Sequence, residues 1–157
     1  MLAAVMAAAC VTACSTFDCP LNNKVYASVK LDATLDDTLT VSIPLANDDD
    51  GSDTVVVNRL TAADSLALPM SYSRQEDMYI FTLRANGTAM TTHDTLWVTK
   101  TNEPHFESVD CSPAVFHTIT GVKCTHNAIN DIRINNDKVT YNDAKAHIYI
   151  SLKGGNR

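Results

Sequence analysis

Between Val25 and Leu31 the apolar side chains fall on every second residue, with Val25, Ala27, Val29 and Leu31 alternating against Tyr26, Ser28 and Lys30. The same period returns where Leu39, Val41 and Ile43 alternate with Thr40 and Ser42. Successive side chains of a strand point to opposite faces, so this period marks half-buried strands. Short β-branched or aromatic runs follow at Thr54-Val55-Val56-Val57, Leu66-Ala67-Leu68, Met78-Tyr79-Ile80-Phe81-Thr82-Leu83 and Thr95-Leu96-Trp97-Val98-Thr99. The last third adds residues 116–124, Ile132-Arg133-Ile134, Val139-Thr140-Tyr141 and His147-Ile148-Tyr149-Ile150-Ser151-Leu152. Turn-forming clusters separate them, among them Asn86-Gly87, a favoured tight-turn pair. After Cys14 no stretch keeps helical spacing over three turns, and residues 60–66 would make one or two helical turns at most. About eight or nine short strands at this spacing predict an all-β fold, an antiparallel β-sandwich of Ig-like kind, with a β-barrel as the alternative.

Residues 1–13 break this pattern. They hold no charged side chain, read as an apolar run, and end on the small residues Thr12 and Ala13 before Cys14. The run is too short to cross a bilayer, which needs about 20 apolar residues, but matches the core of a secretory signal. Small residues followed by cysteine are what a bacterial lipoprotein signal presents for cleavage and diacylglycerol transfer to the thiol. The basic residues that normally precede such a run are missing. The expected organisation is a lipoprotein signal peptide over 1–13, a lipid anchor on Cys14 with a tether over 14–23, one β domain over 24–153, and a tail over 154–157. The chain would then be membrane-attached through its N-terminal lipid in the bacterial cell envelope, at the outer membrane.

Charge narrows the partners. Twelve Lys and Arg against 18 Asp and Glu give a net charge of −6, with no basic run, which excludes nucleic acid. In an oxidising compartment an accessible cysteine pair forms a disulfide. With Cys14 lipidated, Cys19, Cys111 and Cys124 remain. Cys19 and Cys111 sit in similar loop-like settings, Asp18-Cys19-Pro20 and Asp110-Cys111-Ser112-Pro113. Cys124 follows Thr118, Thr120 and Val122 on one face of an expected strand, where a thiol acts as a small apolar residue. These settings favour a bridge between Cys19 and Cys111, with Cys111 to Cys124 as the competing pairing.

Motifs for chemistry are sparse. His105, Cys111, His117, Cys124 and His126 crowd one span, but only Cys124 and His126 are close-spaced, whereas zinc sites use two close pairs. Asp48-Asp49-Asp50-Gly51-Ser52-Asp53 lacks the ligand phase of a calcium loop and reads as a solvated turn. No nucleophile elbow, Ser-x-x-Lys, His-Glu-x-x-His or phosphate loop occurs, and nothing brings Glu76 with Asp77, or Glu103 with Glu107, across a cleft. No cofactor and no enzymatic activity are expected.

Asp followed by Thr or Ser and an aliphatic residue recurs at Asp37-Thr38-Leu39, Asp53-Thr54-Val55, Asp64-Ser65-Leu66 and Asp94-Thr95-Leu96. Its structural reading is a turn-closing Asp ahead of a strand, for at least three of the four. It also resembles the O-glycosylation acceptor of exported Bacteroidetes proteins, which makes Thr38, Thr54, Ser65 and Thr95 candidate glycan carriers.

Taken together, Cys14-Ser15-Thr16-Phe17-Asp18-Cys19-Pro20-Leu21-Asn22-Asn23, Asp37-Thr38-Leu39-Thr40-Val41, Leu68-Pro69-Met70-Ser71-Tyr72, Lys100-Thr101-Asn102-Glu103-Pro104-His105-Phe106-Glu107-Ser108 and Thr125-His126-Asn127-Ala128-Ile129 resemble a family of small Bacteroidetes cell-envelope lipoproteins of unknown function. The resemblance implies a lipid-anchored β domain, and supports Cys14 as the lipidated residue and Cys19 with Cys111 as a pair. The expected role is a non-catalytic domain that docks with another envelope component such as an outer-membrane protein, through edge strands or end loops; a contiguous exposed patch around residues 100–106 would favour it. The alternative is a glycan or small-ligand binder using Trp97 and the tyrosines as stacking platforms.

Overall fold

The computed structural model describes residues 19, 24–45, 53–141 and 143–153. Among these the strands are β1 (Tyr26–Leu31), β2 (Thr38–Pro44), β3 (Asp53–Leu60), β4 (Ser65–Pro69), β5 (Glu76–Arg84), β6 (Thr91–His105), β7 (Ala114–Cys124), β8 (Ile129–Ile134), β9 (Lys138–Val139) and β10 (Ile148–Leu152). They form a four-stranded sheet in the order β4-β1-β10-β8 and a six-stranded sheet in the order β3-β2-β5-β6-β7-β9. The two sheets stay separate, so the fold is a β-sandwich and not a closed barrel. Every pairing is antiparallel except β1 with β10, where Val29 lies opposite Ile148 and Leu31 opposite Ile150.

The core forms where the period-two pattern places it. Ala27, Val29 and Leu31 from β1, Leu66 and Leu68 from β4, and Ile148 and Ile150 from β10 face Leu39, Val41, Tyr79, Phe81, Leu83, Leu96 and Val98 of the larger sheet in one buried cluster. Each Val, Leu, Ile and Phe among them contributes roughly 1.5–3 kcal/mol by leaving water. Tyr79 is fully buried, and its hydroxyl is satisfied by donating to the carbonyl of Pro69 at 2.7 Å.

β6 is the longest strand at 15 residues. It separates two poles of the sandwich. At its start lie the first residues of β2, the end of β5 and the 85–90 hairpin; at its end lie the first residues of β7 and the connection 106–113.

Several expectations change. Residues 60–66 form no helix: the Ala62 N–H donates to the Leu35 carbonyl, and those of Leu35 and Leu31 to the carbonyls of Ala63 and Asp64. These longer-range bonds win because so short a helix does not overcome its nucleation cost. In β7 the register shifts opposite Thr99 and Lys100, leaving Thr120 unpaired between Ile119 and Gly121. This bulge reverses the side-chain phase, so Ile119 and His117 turn inward, Thr118 and Thr120 do not share a face with Val122, and Cys124 is only half-buried. Asp94 opens no turn. It lies within β6, buried, and its carboxylate accepts from the Thr125 hydroxyl at 2.6 Å and from the N–H groups of Asn127, Ala128 and Ile129 at 2.7, 2.6 and 2.8 Å. Burial alone would raise this carboxyl; the four hydrogen bonds outweigh it and hold it below the usual range.

Candidate functional site

At the β2-β5-β6 pole the inward positions Leu39, Val41, Phe81 and Leu83 leave the outward face to short polar side chains. The pairing register brings Thr38, Arg84 and Thr91 into one row, and Thr40, Thr82 and His93 into the next. The Thr82 hydroxyl and His93 Nδ1 are 3.0 Å apart. At the margin of this face β3 bulges against β2, with Leu60 opposite Leu39 and Val57 opposite Val41, so that two residues face Thr40. One of them, Arg59, has φ 52°, and its N–H donates to Thr40 Oγ1 at 3.4 Å.

The hairpin 85–89 rises beside this face and closes a groove of about 670 Å³ around Thr38, Thr40, Arg59, Thr82, Arg84 and Thr91. Among the described residues no carboxylate, histidine or cysteine lines it, although Asp37 Oδ1 accepts from the N–H of the lining Asn86 at 3.0 Å. Neither Arg59 nor Arg84 makes an ion pair among the described residues. On a chain of net charge −6, the groove is a local cationic site rich in hydroxyl donors, the combination that recognises carboxylate or phosphate oxygens.

Arg59 stands in a backbone conformation that costs a bulky L residue roughly 1–2 kcal/mol. Arg59→Gly should therefore leave stability unchanged within about 1 kcal/mol, despite the loss of a side chain, because strain relief offsets the greater freedom of glycine in the unfolded chain. Urea unfolding checks this. A loss above about 2 kcal/mol would mean that the side chain holds the bulge in place.

The buried groups suited to acid-base chemistry lie elsewhere and are internally engaged. Lys100 and Asp77 occupy inward positions of β6 and β5, at 2% and 3% exposure, with Nζ and Oδ2 3.5 Å apart. The ammonium donates to the carbonyls of Ser71 and Arg74, each at 2.6 Å, and to Asn102 Oδ1 at 2.8 Å. Asp77 accepts from the Ser71 N–H at 3.1 Å. Burial lowers the Lys100 ammonium and raises the Asp77 carboxyl from their ordinary values, and the attraction between them opposes both shifts. Because Asn102 Oδ1 already accepts from Lys100, the proton shared with His117 at 2.8 Å belongs to His117 Nδ1. His117 Nε2 is buried without a hydrogen-bond partner.

Burial first, and the Lys100 charge second, push His117 down to about 4. The unfolded imidazole protonates near 6.5, so between those values the unfolded chain binds the extra proton. The stability supplied by a neutral His117 is complete above about pH 6.5 and falls as pH drops toward 4, by on the order of 3 kcal/mol in all. Denaturation of the wild type across this window should show the slope, and His117→Gln should flatten it. An unchanged slope would assign it to other groups.

His147 is 1% exposed with both ring nitrogens used. Nδ1 accepts from the Ser28 N–H at 2.8 Å, so Nε2 carries the proton and donates to Asp143 Oδ2 at 3.0 Å. Asp143 also accepts from the N–H and hydroxyl of Thr140. A histidine so engaged fastens the 140–147 loop to β1 and has no free nitrogen for a substrate.

The residues singled out from sequence are dispersed. Cys19 and Cys111 form a disulfide, with Cα atoms 5.5 Å apart. Cys14, residues 1–13, the acidic run at 48–52 and the tail at 154–157 lie outside the described residues. Asp53 accepts from the Ser42 hydroxyl at 3.2 Å. Thr38 lines the groove, Thr54 and Ser65 are exposed near the starts of β3 and β4, and Thr95 is half-buried within β6. Cys124 Sγ lies 3.8 Å from His126 Nδ1, but no cluster of three or more metal-ligating side chains occurs among the described residues. Burial, then the Asp94 and Asp131 carboxylates, raise the Cys124 thiol, the opposite of an activated nucleophile. Glu76 and Asp77 point to opposite faces of β5. Residues 100–106 do not form a contiguous exposed patch, because the β6 position of Lys100 faces inward. Trp97 faces outward, not into the core, with Lys123 Nζ 5.2 Å from its ring centroid.

Arg59 and Arg84 were not singled out from sequence, because their meeting depends on cross-strand register and a bulge. The available signal was the outward threonines at 38, 40 and 82 beside the Asn86-Gly87 hairpin. No curated protein and no solved structure matches the chain. A family model does, over residues 38–152, so the groove and the Lys100-Asp77 network lie within the matched span: the chain belongs to the family of unknown function DUF6452.

Proposed function

We propose that this chain is a lipid-anchored domain of the bacterial cell envelope that binds without converting what it binds, docking an anionic segment of another envelope component in the Arg59-Arg84 groove. The groove carries this reading. It pairs two guanidinium groups that make no ion pair among the described residues with threonine hydroxyls on an otherwise acidic protein. Lys100, Asp77 and His147 are spent on internal hydrogen bonds. The envelope setting rests on Thr12-Ala13-Cys14 and on the resemblance to Bacteroidetes lipoproteins; the Cys19–Cys111 disulfide accords with an oxidising compartment. Glycan stacking gains less support, since no aromatic ring lines the groove.

Crosslinking in the native host, followed by pull-down, tests the proposal. Wild type should recover a reproducible envelope partner, and Arg59→Ala with Arg84→Ala should lose it. Recovery of the protein alone, or a partner retained by the double variant, would overturn the assignment. Intact mass from the same host reads the glycan proposal, for which the exposed Thr54 and Ser65 are the more accessible acceptors. A mass equal to polypeptide plus lipid would remove it.

A further inference from the structure

The pole opposite the groove gathers exposed apolar surface. Phe106 and Val109, in the β6-β7 connection, are 65% and 98% exposed. Tyr26 and Tyr72 are 40% and 44% exposed. Tyr141 joins them to the same pole: its ring lies 5.0 Å from that of Phe116 and 6.3 Å from that of His105, it lines a small cleft with Tyr26, and Tyr72 follows three residues after Pro69, the β4 residue paired with Tyr26. Four of the seven large apolar side chains that the described residues expose are therefore here. A concentration of this kind on a soluble face marks a contact surface.

Covalent structure indicates what covers it. Cys111, in the same connection as Phe106 and Val109, is bonded to Cys19, five residues beyond Cys14. Five residues span at most about 18 Å, so a lipid on Cys14 holds this connection within reach of the bilayer surface whatever path the tether takes. Tyrosines with exposed apolar side chains suit the headgroup boundary, where an aromatic ring finds hydrocarbon on one side and water at its hydroxyl. Glu107 and Asp110, interleaved with Phe106 and Val109, make an anionic surface unfavourable.

We infer that the Phe106-Val109 connection, with Tyr26 and Tyr72 beside it, rests in the interface of a zwitterionic phospholipid bilayer, so that the sandwich stands on this pole and presents the Arg59-Arg84 groove away from the membrane. Fourteen residue steps of β6 separate Thr91 from His105, which places the groove up to ~45 Å further out. The inference rests on the lipid anchor of the proposed function.

The test uses the lipid-anchored full chain in phosphatidylcholine vesicles with brominated acyl chains. Trp97 is the only tryptophan, so Trp97→Phe silences the background. In that background Val109→Trp should be quenched roughly twofold, as expected for a side chain ~5–10 Å into the interface, and Phe106→Trp likewise. Met90→Trp, on the exposed hairpin at the other pole, should not change. Intact mass separates the two ideas. With the lipid present and neither loop probe quenched, or with Met90→Trp quenched equally, the upright orientation is overturned and the anchor stands. With no lipid on Cys14, anchor and orientation fall together.

Discussion

Lys100→Met should destabilise the fold by about 3–5 kcal/mol, although the replacement is apolar, of similar length, and enters a buried site. The cost arises from what stays behind. Asp77 would remain 3% exposed without the ammonium 3.5 Å away, and the Ser71 and Arg74 carbonyls would lose their donor. A buried group stripped of its partner bears its full desolvation penalty. The Arg74 carbonyl keeps one bond, from Asn102 Nδ2 at 3.0 Å, so the 71–74 loop should loosen first at Ser71. Lys100→Met with Asp77→Asn should recover part of the loss, because no lone charge then remains inside. Urea unfolding of the two single variants and the double variant gives the coupling directly. A loss below about 1 kcal/mol for Lys100→Met would mean that water fills the site and that the ammonium is dispensable.

The same pair illustrates what the sequence makes legible. Asp77 shares its phase with Tyr79, Phe81 and Leu83, and Lys100 with Leu96 and Val98, so the two-residue period already points both inward. Charge conceals this, because lysine and aspartate are almost never fully buried unless paired, and the pairing is invisible until β5 and β6 are registered. Trp97 errs the other way: its apolar bulk suggests the core while its phase places it outside. Where period and polarity agree, as in β1, the burial pattern follows the sequence throughout. The β7 bulge at Thr120 and the Arg59 bulge in β3 lie beyond such reasoning, since one extra residue reverses the phase with no compositional mark. The groove is hidden for the same reason, being assembled from residues 38 to 91 by register alone. The cysteine pairing was legible, because local settings separate a loop thiol from one in a strand.

Replacing both Cys19 and Cys111 by alanine should lower stability by about 4–5 kcal/mol, the entropy that a closed loop of this length removes from the unfolded chain. The bridge spans 92 positions and joins the approach to β1, in the four-stranded sheet, to the connection between β6 and β7, in the six-stranded one. It therefore restrains the two layers against separating at one pole, where β9 adds only two residues to the larger sheet. Neither cysteine belongs to the main buried cluster, so the unfolding midpoint should fall while the variant keeps its strand content by circular dichroism. A midpoint shift equivalent to less than about 1 kcal/mol would show that the unfolded chain is already compact enough for the crosslink to remove little freedom. Opening the bridge has a second consequence that stability alone does not report. In the anchored protein the lipid would then hold only the segment before β1, and quenching of the Val109→Trp probe should fall toward that of Met90→Trp, because the disulfide is what fixes the 106–113 connection to the tether.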